Sequence, residues 1–269
     1  MVEPLRAGER LLSPYDPAPA EVLRGASKEK VVLVCEHAGL AVPKRLGDLG
    51  LGAEDREKHI GWDIGAGAVA RRMAEILDAP TVLQAYSRLV IDCNRPPDAP
   101  DAMVEISDGI AVPGNMSLGK RDRSARIKEV FDPFQAKVTA LLTSAPRRAV
   151  FSIHSFTPWL GGNKRPWDVG FLFRADSRTS HELRRFLLEA EPSLLIGMNQ
   201  PYQIDDASDW FVPHHGEAAG LAHSLIEIRN DLILDERGQA RWADRLAGAI
   251  TRLMKELPHG ADKKHSTGS

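Results

Sequence analysis

The chain has 269 residues, with 35 Lys and Arg against 37 Asp and Glu for a net charge of -2, and 43% of its residues are apolar, the balance of an ordinary globular protein with a sizeable core. Such near-neutrality gives no basis for a nucleic-acid or membrane-surface partner. Two cysteines, Cys35 and Cys93, are too few for a disulfide framework and read as core residues, and no apolar run approaches the roughly 20 residues that span a bilayer.

The opening residues lack the apolar core of a signal peptide, so the cytoplasm is the expected location. Residues 1–29, rich in Pro and charge, read as an irregular leader with one short helix near Ala20–Gly25. Lys30–Cys35 is short, apolar and β-branched, the pattern of a strand buried on both faces, and it stops abruptly at Glu36 and His37. Residues 53–78 predict a helix, because Ala66, Val69, Ala70, Met73, Ile76 and Leu77 share one face. Thr81–Ala85 and, more strongly, Arg88–Asp92 predict strands. Pro96, Pro97 and Pro100 then open a long loop over 96–120. Helical spacing returns at Asp122–Leu142. Arg147–Ile153 predicts a strand ending at His154, and Asp168–Phe173 predicts another. Ser180–Glu189 predicts an amphipathic helix capped by Thr179 or Ser180. Ser224–Ile228 predicts a strand running out through Glu227 to Asp231. Residues 239–256 form a closing helix, and 258–269 reads as a disordered tail. Strands alternating with helices, with no linker between, predict one α/β domain over 30–257. Its architecture is a three-layer α/β/α sandwich around a mostly parallel, mixed central sheet.

Open α/β sheets place ligands beyond the carboxyl ends of their strands. Four strand ends here carry reactive side chains: Glu36 and His37, Asp92 to Arg95, His154 and Ser155, and Glu227 to Asp231. Charges buried there are costly unless paired or metal-bound, which points to one shared polar site. His37 and His154 are the first candidates for metal ligands, since neutral imidazole suits zinc and a catalytic zinc takes three protein ligands plus water. No compact motif such as HExxH supports them, and each could instead hydrogen-bond a loop. Asp63 leads as third ligand, ahead of Glu36; its structural alternative is a helix N-cap. Glu227 suits a general base beside an activated water, or else a salt bridge to Arg229. Asn94 and Arg95 suit recognition of a substrate carboxylate, Arg95 through its planar fork of donors; Asp92 or Asp98 could otherwise pair it.

The segments Ser87–Arg95, Ile153–Phe156, Asn199–Tyr202, His214–Gly216 and Glu227–Leu232, in that order, resemble the N-formylglutamate amidohydrolases from about Val31 to Ile250. More distantly, the chain is similar to zinc carboxypeptidases and aspartoacylases. In those, a strand-end histidine opens the zinc site, and a segment like Ser152-Ile153-His154-Ser155 supplies another ligand. An Asn-Arg pair like Asn94-Arg95 binds the substrate carboxylate, and a glutamate placed like Glu227 in Glu227-Ile228-Arg229 acts as base. Two positions depart from these patterns. Leu40 stands where carboxypeptidases carry a ligating Glu, leaving Asp63 as the replacement. Glu36 precedes His37 where family members often have Pro. The resemblance implies a zinc carboxypeptidase-like fold and one zinc ion on His37, Asp63 and His154. It further implies Glu227 as base. His215, on a loop shortly before the Glu227 strand, suits contact with the substrate or oxyanion, or else forms a surface pair with His214, and Arg88 and Arg174 could add positive charge near the site. The implied substrate is a small N-acyl amino acid such as N-formylglutamate. Alternatives are a carboxypeptidase or other N-acyl amino acid deacylase on the same scaffold, and a non-catalytic small-molecule binding protein. No GxGxxG or Walker loop supports a nucleotide site.

Overall fold

The structure, a computed structural model, describes residues 4–258; beyond Pro258 the expected tail lies outside the described residues. In chain order the elements are β1 (Ala20–Leu23), β2 (Val31–Cys35), α1 (Ala53–Glu57), α2 (Ala66–Leu77) and β3 (Thr81–Gln84). A small hairpin, β4 (Ile106–Ser107) and β5 (Ile110–Ala111), leads to α3 (Lys120–Arg126), which passes through a π-helical turn at Ile127–Phe131 into α4 (Asp132–Thr143). Then come β6 (Ala149–Phe156), a second hairpin of β7 (Trp159–Leu160) and β8 (Asn163–Lys164), β9 (Val169–Leu172), α5 (Ser177–Ala190), β10 (Ile196–Met198), β11 (Ala222–Arg229) and α6 (Glu236–Glu256).

Seven strands make one sheet in the order β1-β3-β2-β6-β11-β9-β10. Four of its six pairings are parallel, those of β1 with β3 and of β9 with β11 being antiparallel. Both faces are covered, so β2 reads as unbroken Val-Val-Leu-Val-Cys rather than as alternation. Val31, Leu33 and Cys35 pack toward α2, α5 and α6. Val32 and Val34 pack toward the π-helical turn and α4. The result is the expected α/β/α sandwich. Both cysteines are buried thiols within it, and among the described residues no helix is long and apolar enough to cross a membrane.

Several expectations need correction. The segment at Ala20–Gly25 is not a helix: its residues pair with β3 as the edge strand β1, and tertiary pairing outweighs weak local propensity. Arg88–Asp92 is not a strand. Leu89, Val90 and Ile91 are buried as expected, but in a turn with no ladder. Its carbonyls are met by side chains instead: Arg126 Nη1 donates to Val90 O (2.9 Å) and Asn115 Nδ2 to Leu89 O (2.8 Å). The helix expected over 53–78 breaks between Glu57 and Ala66. The loop at 96–120 contains β4, β5 and two 3-10 turns. The cap of α5 is Asp176, whose Oδ1 accepts from Thr179 N at 3.1 Å, rather than Thr179 or Ser180. The short strand β10 carries no pattern that marked it beforehand.

Candidate active site

The alternation that builds the core also builds the site. On β6, Val150, Ser152 and His154 point to the α4 face, and on β11 Leu225 and Glu227 do the same, because residues two apart share a face. The strands are parallel, and their register sets Glu227 directly beside His154. Both residues therefore lie inside their strands, just short of the ends at Phe156 and Arg229, not beyond them. Polar side chains replace apolar ones where that face opens at the carboxyl end of the sheet.

Asp63 comes from the break between α1 and α2. Its N–H donates to His37 O (3.0 Å), fixing the segment against the end of β2. The helix starts later than expected, with Gly65 at the cap in the left-handed region (φ 81°). A Cβ at Gly65 would fall 2.3 Å from Ile233 O, so the chain turns there only without a side chain. Asp63 is thus released from helix capping, and its carboxylate points into the site.

There, Asp63 Oδ2 lies 3.3 Å from His37 Nδ1 and 2.8 Å from His154 Nδ1. One donor atom from each of the three residues lies within 4.8 Å of the others, and all three residues are buried. The two rings meet edge to face, centroids 4.7 Å apart. The far nitrogens are also held: His37 Nε2 by Asp92 Oδ1 (2.7 Å) and His154 Nε2 by Glu36 Oε2 (3.1 Å). Arg88 spans Asp63 Oδ1 (3.2 Å) and Asp92 Oδ2 (2.6 Å), and Ser155 N donates to Asp63 Oδ2 (3.2 Å). Two imidazole nitrogens and a carboxylate, each imidazole backed by a second carboxylate, are a donor set that fits a divalent cation such as zinc.

Burial alone would neutralise these groups, but pairing overrides it. It would raise Asp92, yet Arg88 and His37 hold its carboxyl well below the usual range. It would lower His154, yet Asp63 and Glu36 hold the imidazole well above. Glu227 is the exception: burial, reinforced by Asp63, pushes it up to about 7 against the pull of His154 and His37. Its Oε2 is buried without a hydrogen-bond partner. Arg229, its alternative partner, bonds Asp168 and Asp231 instead. Glu227 lines a cavity of about 330 Å³ together with His37, Asp63, His154, Arg95 and Tyr202.

A model of the N-formylglutamate amidohydrolase family matches residues 29–234. The chain belongs to this family. Gene product Atu2144 of Agrobacterium tumefaciens is similar at 37% identity and a TM-score of 0.87, over 91% of this chain and 98% of that one. An N-formylglutamate amidohydrolase of Ralstonia eutropha JMP134 shares the fold at 17% identity and a TM-score of 0.63, over 89% of this chain and 98% of that one. None of the curated proteins matches the chain.

Within this amidohydrolase the other expected residues divide. Arg95 lines the cavity and reaches Asp101 through Nε (3.0 Å), not Asp92 or Asp98. Asn94 borders the cavity, but its amide is committed: Nδ2 donates to Asp209 Oδ2 (2.8 Å), and Oδ1 accepts from the N–H groups of Trp210 and Phe211. It anchors the 209–211 turn rather than offering a free clamp. Arg88 binds carboxylates of the protein itself. Arg174 pairs with Glu217 and Asp206, off the cavity wall. His215 is not brought to the cavity either. It is buried with Nε2 on Gln135 Oε1 (2.6 Å), and burial lowers its pKa to about 4, so the ring is neutral. Glu36 meets His154 Nε2 and stands outside the group of three donors formed by His37, Asp63 and His154.

Sequence reasoning missed the roles of Asp92, Asp209 and Tyr202. The first and last fall in segments that carried the family resemblance, which was the available signal. Gly170, opposite Glu227 in the antiparallel register, has a related purpose. A Cβ there would fall 1.8 Å from Gln200 O, so bare backbone lets the Asn199–Tyr202 turn cross β9 and bring Tyr202 to the cavity.

Proposed function

We propose that this protein is a metal-dependent amidohydrolase, with zinc the fitting metal, that removes an N-formyl or other N-acyl group from an amino acid. The observation that carries the reading is Glu227: a buried, unpaired carboxylate in register with His154, facing the same cavity as the His37, Asp63 and His154 donors. A divalent cation on those donors would supply Lewis acidity to water and to the acyl carbonyl. Glu227, its pKa lifted toward neutrality, is matched to take a proton from the attacking water and return it to the departing amine. Asp92 and Glu36 keep the Nδ1 atoms of His37 and His154 turned inward, and Arg88 locks Asp92 and Asp63 together. Arg95, with donors beyond the one on Asp101, orients the substrate by its carboxylate. With His215 behind the wall, no side chain of that loop is assigned to the oxyanion.

Glu227→Gln should keep its metal, read by elemental analysis, and lose about 100-fold or more of its turnover of N-formyl amino acids. Near-normal turnover in a metal-loaded variant removes Glu227 as base.

A further inference from the structure

A second cavity of about 420 Å³ adjoins the first, and Arg88, Asp92, Arg95 and Tyr202 line both. Its walls include the apolar side chains of Ile60, Leu89, Val104 and Leu160. Ile60 and Leu89 are buried and belong to the α4-side core, so they form the floor of this cavity. Leu160, on the exposed hairpin of β7 and β8, closes the outer side.

The charges on these walls are largely committed. Arg88 gives both terminal nitrogens to Asp63 and Asp92. Arg165, packed on the Tyr202 ring and not itself on either wall, spends its guanidinium on Thr157 and on the Tyr202 hydroxyl. Among the described lining residues, Arg95 is the cation left with terminal N–H groups for a ligand, and it can clamp one carboxylate. The second cavity then presents Asp101 and Asp108. His59 sits 3.2 Å from Asp108, but burial holds its imidazole below the usual range, so it does not balance that charge at neutral pH.

Resting on the amidohydrolase reading, we infer that the second cavity is the side-chain subsite and that it selects N-acyl amino acids with one carboxylate and an apolar side chain. The α-carboxylate takes Arg95, the acyl amide lies at Glu227, and an aliphatic or aromatic side chain covers Ile60, Leu89 and Val104. A second carboxylate, as in N-formylglutamate, would enter beside Asp101 and Asp108 with no free cation to meet it. Like-charge opposition of this kind is how a site rejects a near-relative of its ligand.

Calorimetric binding to the metal-loaded Glu227→Gln protein reads this preference without turnover. N-formylleucine and N-formylphenylalanine should bind ~10-fold or more tighter than N-formylglutamate. Val104→Trp in that background, which fills the cavity, should cut the leucine-to-alanine affinity ratio. Leu160→Lys, on an exposed hairpin where folding is unaffected, should shift preference toward N-formylglutamate. Equal or tighter binding of N-formylglutamate, binding of none of these compounds, or ratios unmoved by both variants overturns the subsite. Binding with the expected preference, but no hydrolysis by the unmodified metal-loaded protein, would overturn the hydrolase reading and leave the subsite standing.

Discussion

Glu227 has one carboxylate oxygen that meets no donor, and its proton affinity follows. Its pKa of about 7 exceeds the ordinary 4.5 because burial penalises the charge. In metal-free protein the folded state therefore holds a proton through that window that the unfolded chain releases. The group is neutral to stability below about 4.5 and increasingly unfavourable as pH rises toward 7. Metal-free Glu227→Gln should exceed its parent in stability by on the order of 1–3 kcal/mol at pH 7.5, with most of that gap gone by pH 5. Urea denaturation at the two pH values measures it, and a gap independent of pH would mean the carboxyl is not strained by burial. Asp92 acts at one remove, by fixing His37. Asp92→Ala should weaken zinc affinity ~10–100-fold in a competition titration, the usual effect of losing a ligand's outer partner; unchanged affinity would show that His37 needs no such support.

The turn from Tyr86 to Cys93 shows why elements could be misread while their burial was read correctly. An apolar run between polar residues looks the same whether it pairs in a sheet or lies unpaired beneath a helix. What decides is where the carbonyls find donors, and here one donor is Arg126, 36 positions on from Val90. Arg126 is almost fully buried with no carboxylate on it, and burial lowers its pKa to about 10. It bridges Val90 O, Asn115 Oδ1 (2.6 Å) and Gly114 O (3.1 Å). Arg126→Met keeps the apolar stem but strands those carbonyls. It should cost about 2–4 kcal/mol, seen as a lower urea midpoint at unchanged slope, and activity should fall with it because the same turn carries Asp92 to Arg95. Unchanged stability would show that the turn holds itself.

At the scale of the whole molecule, the layered architecture was legible because β2, β3, β6, β9 and β11 are short apolar runs and α2, α5 and α6 have one apolar face. The gathering of the site was legible from polar residues interrupting those runs at one end. What stayed hidden was pairwise and spatial. Glu36 was recognisable as unusual, but that it holds the back of His154 depends on the register of two strands more than a hundred residues apart. The sheet's two margins were hidden as well, β10 for its brevity and β1 because four residues with a single charge and no buried position mark no strand. β1 matters beyond its size. It occupies every position along β3 from Thr81 to Gln84, and Tyr86 Oη donates to Pro17 O (2.6 Å) just before it. A chain shortened by its first 25 residues would present β3 bare, with amides and carbonyls ready to zip onto a second molecule. Such a truncated protein should form dimers and larger aggregates in light scattering while the unshortened chain stays monodisperse; a monodisperse truncation would mean that the stripped margin is guarded by some other device.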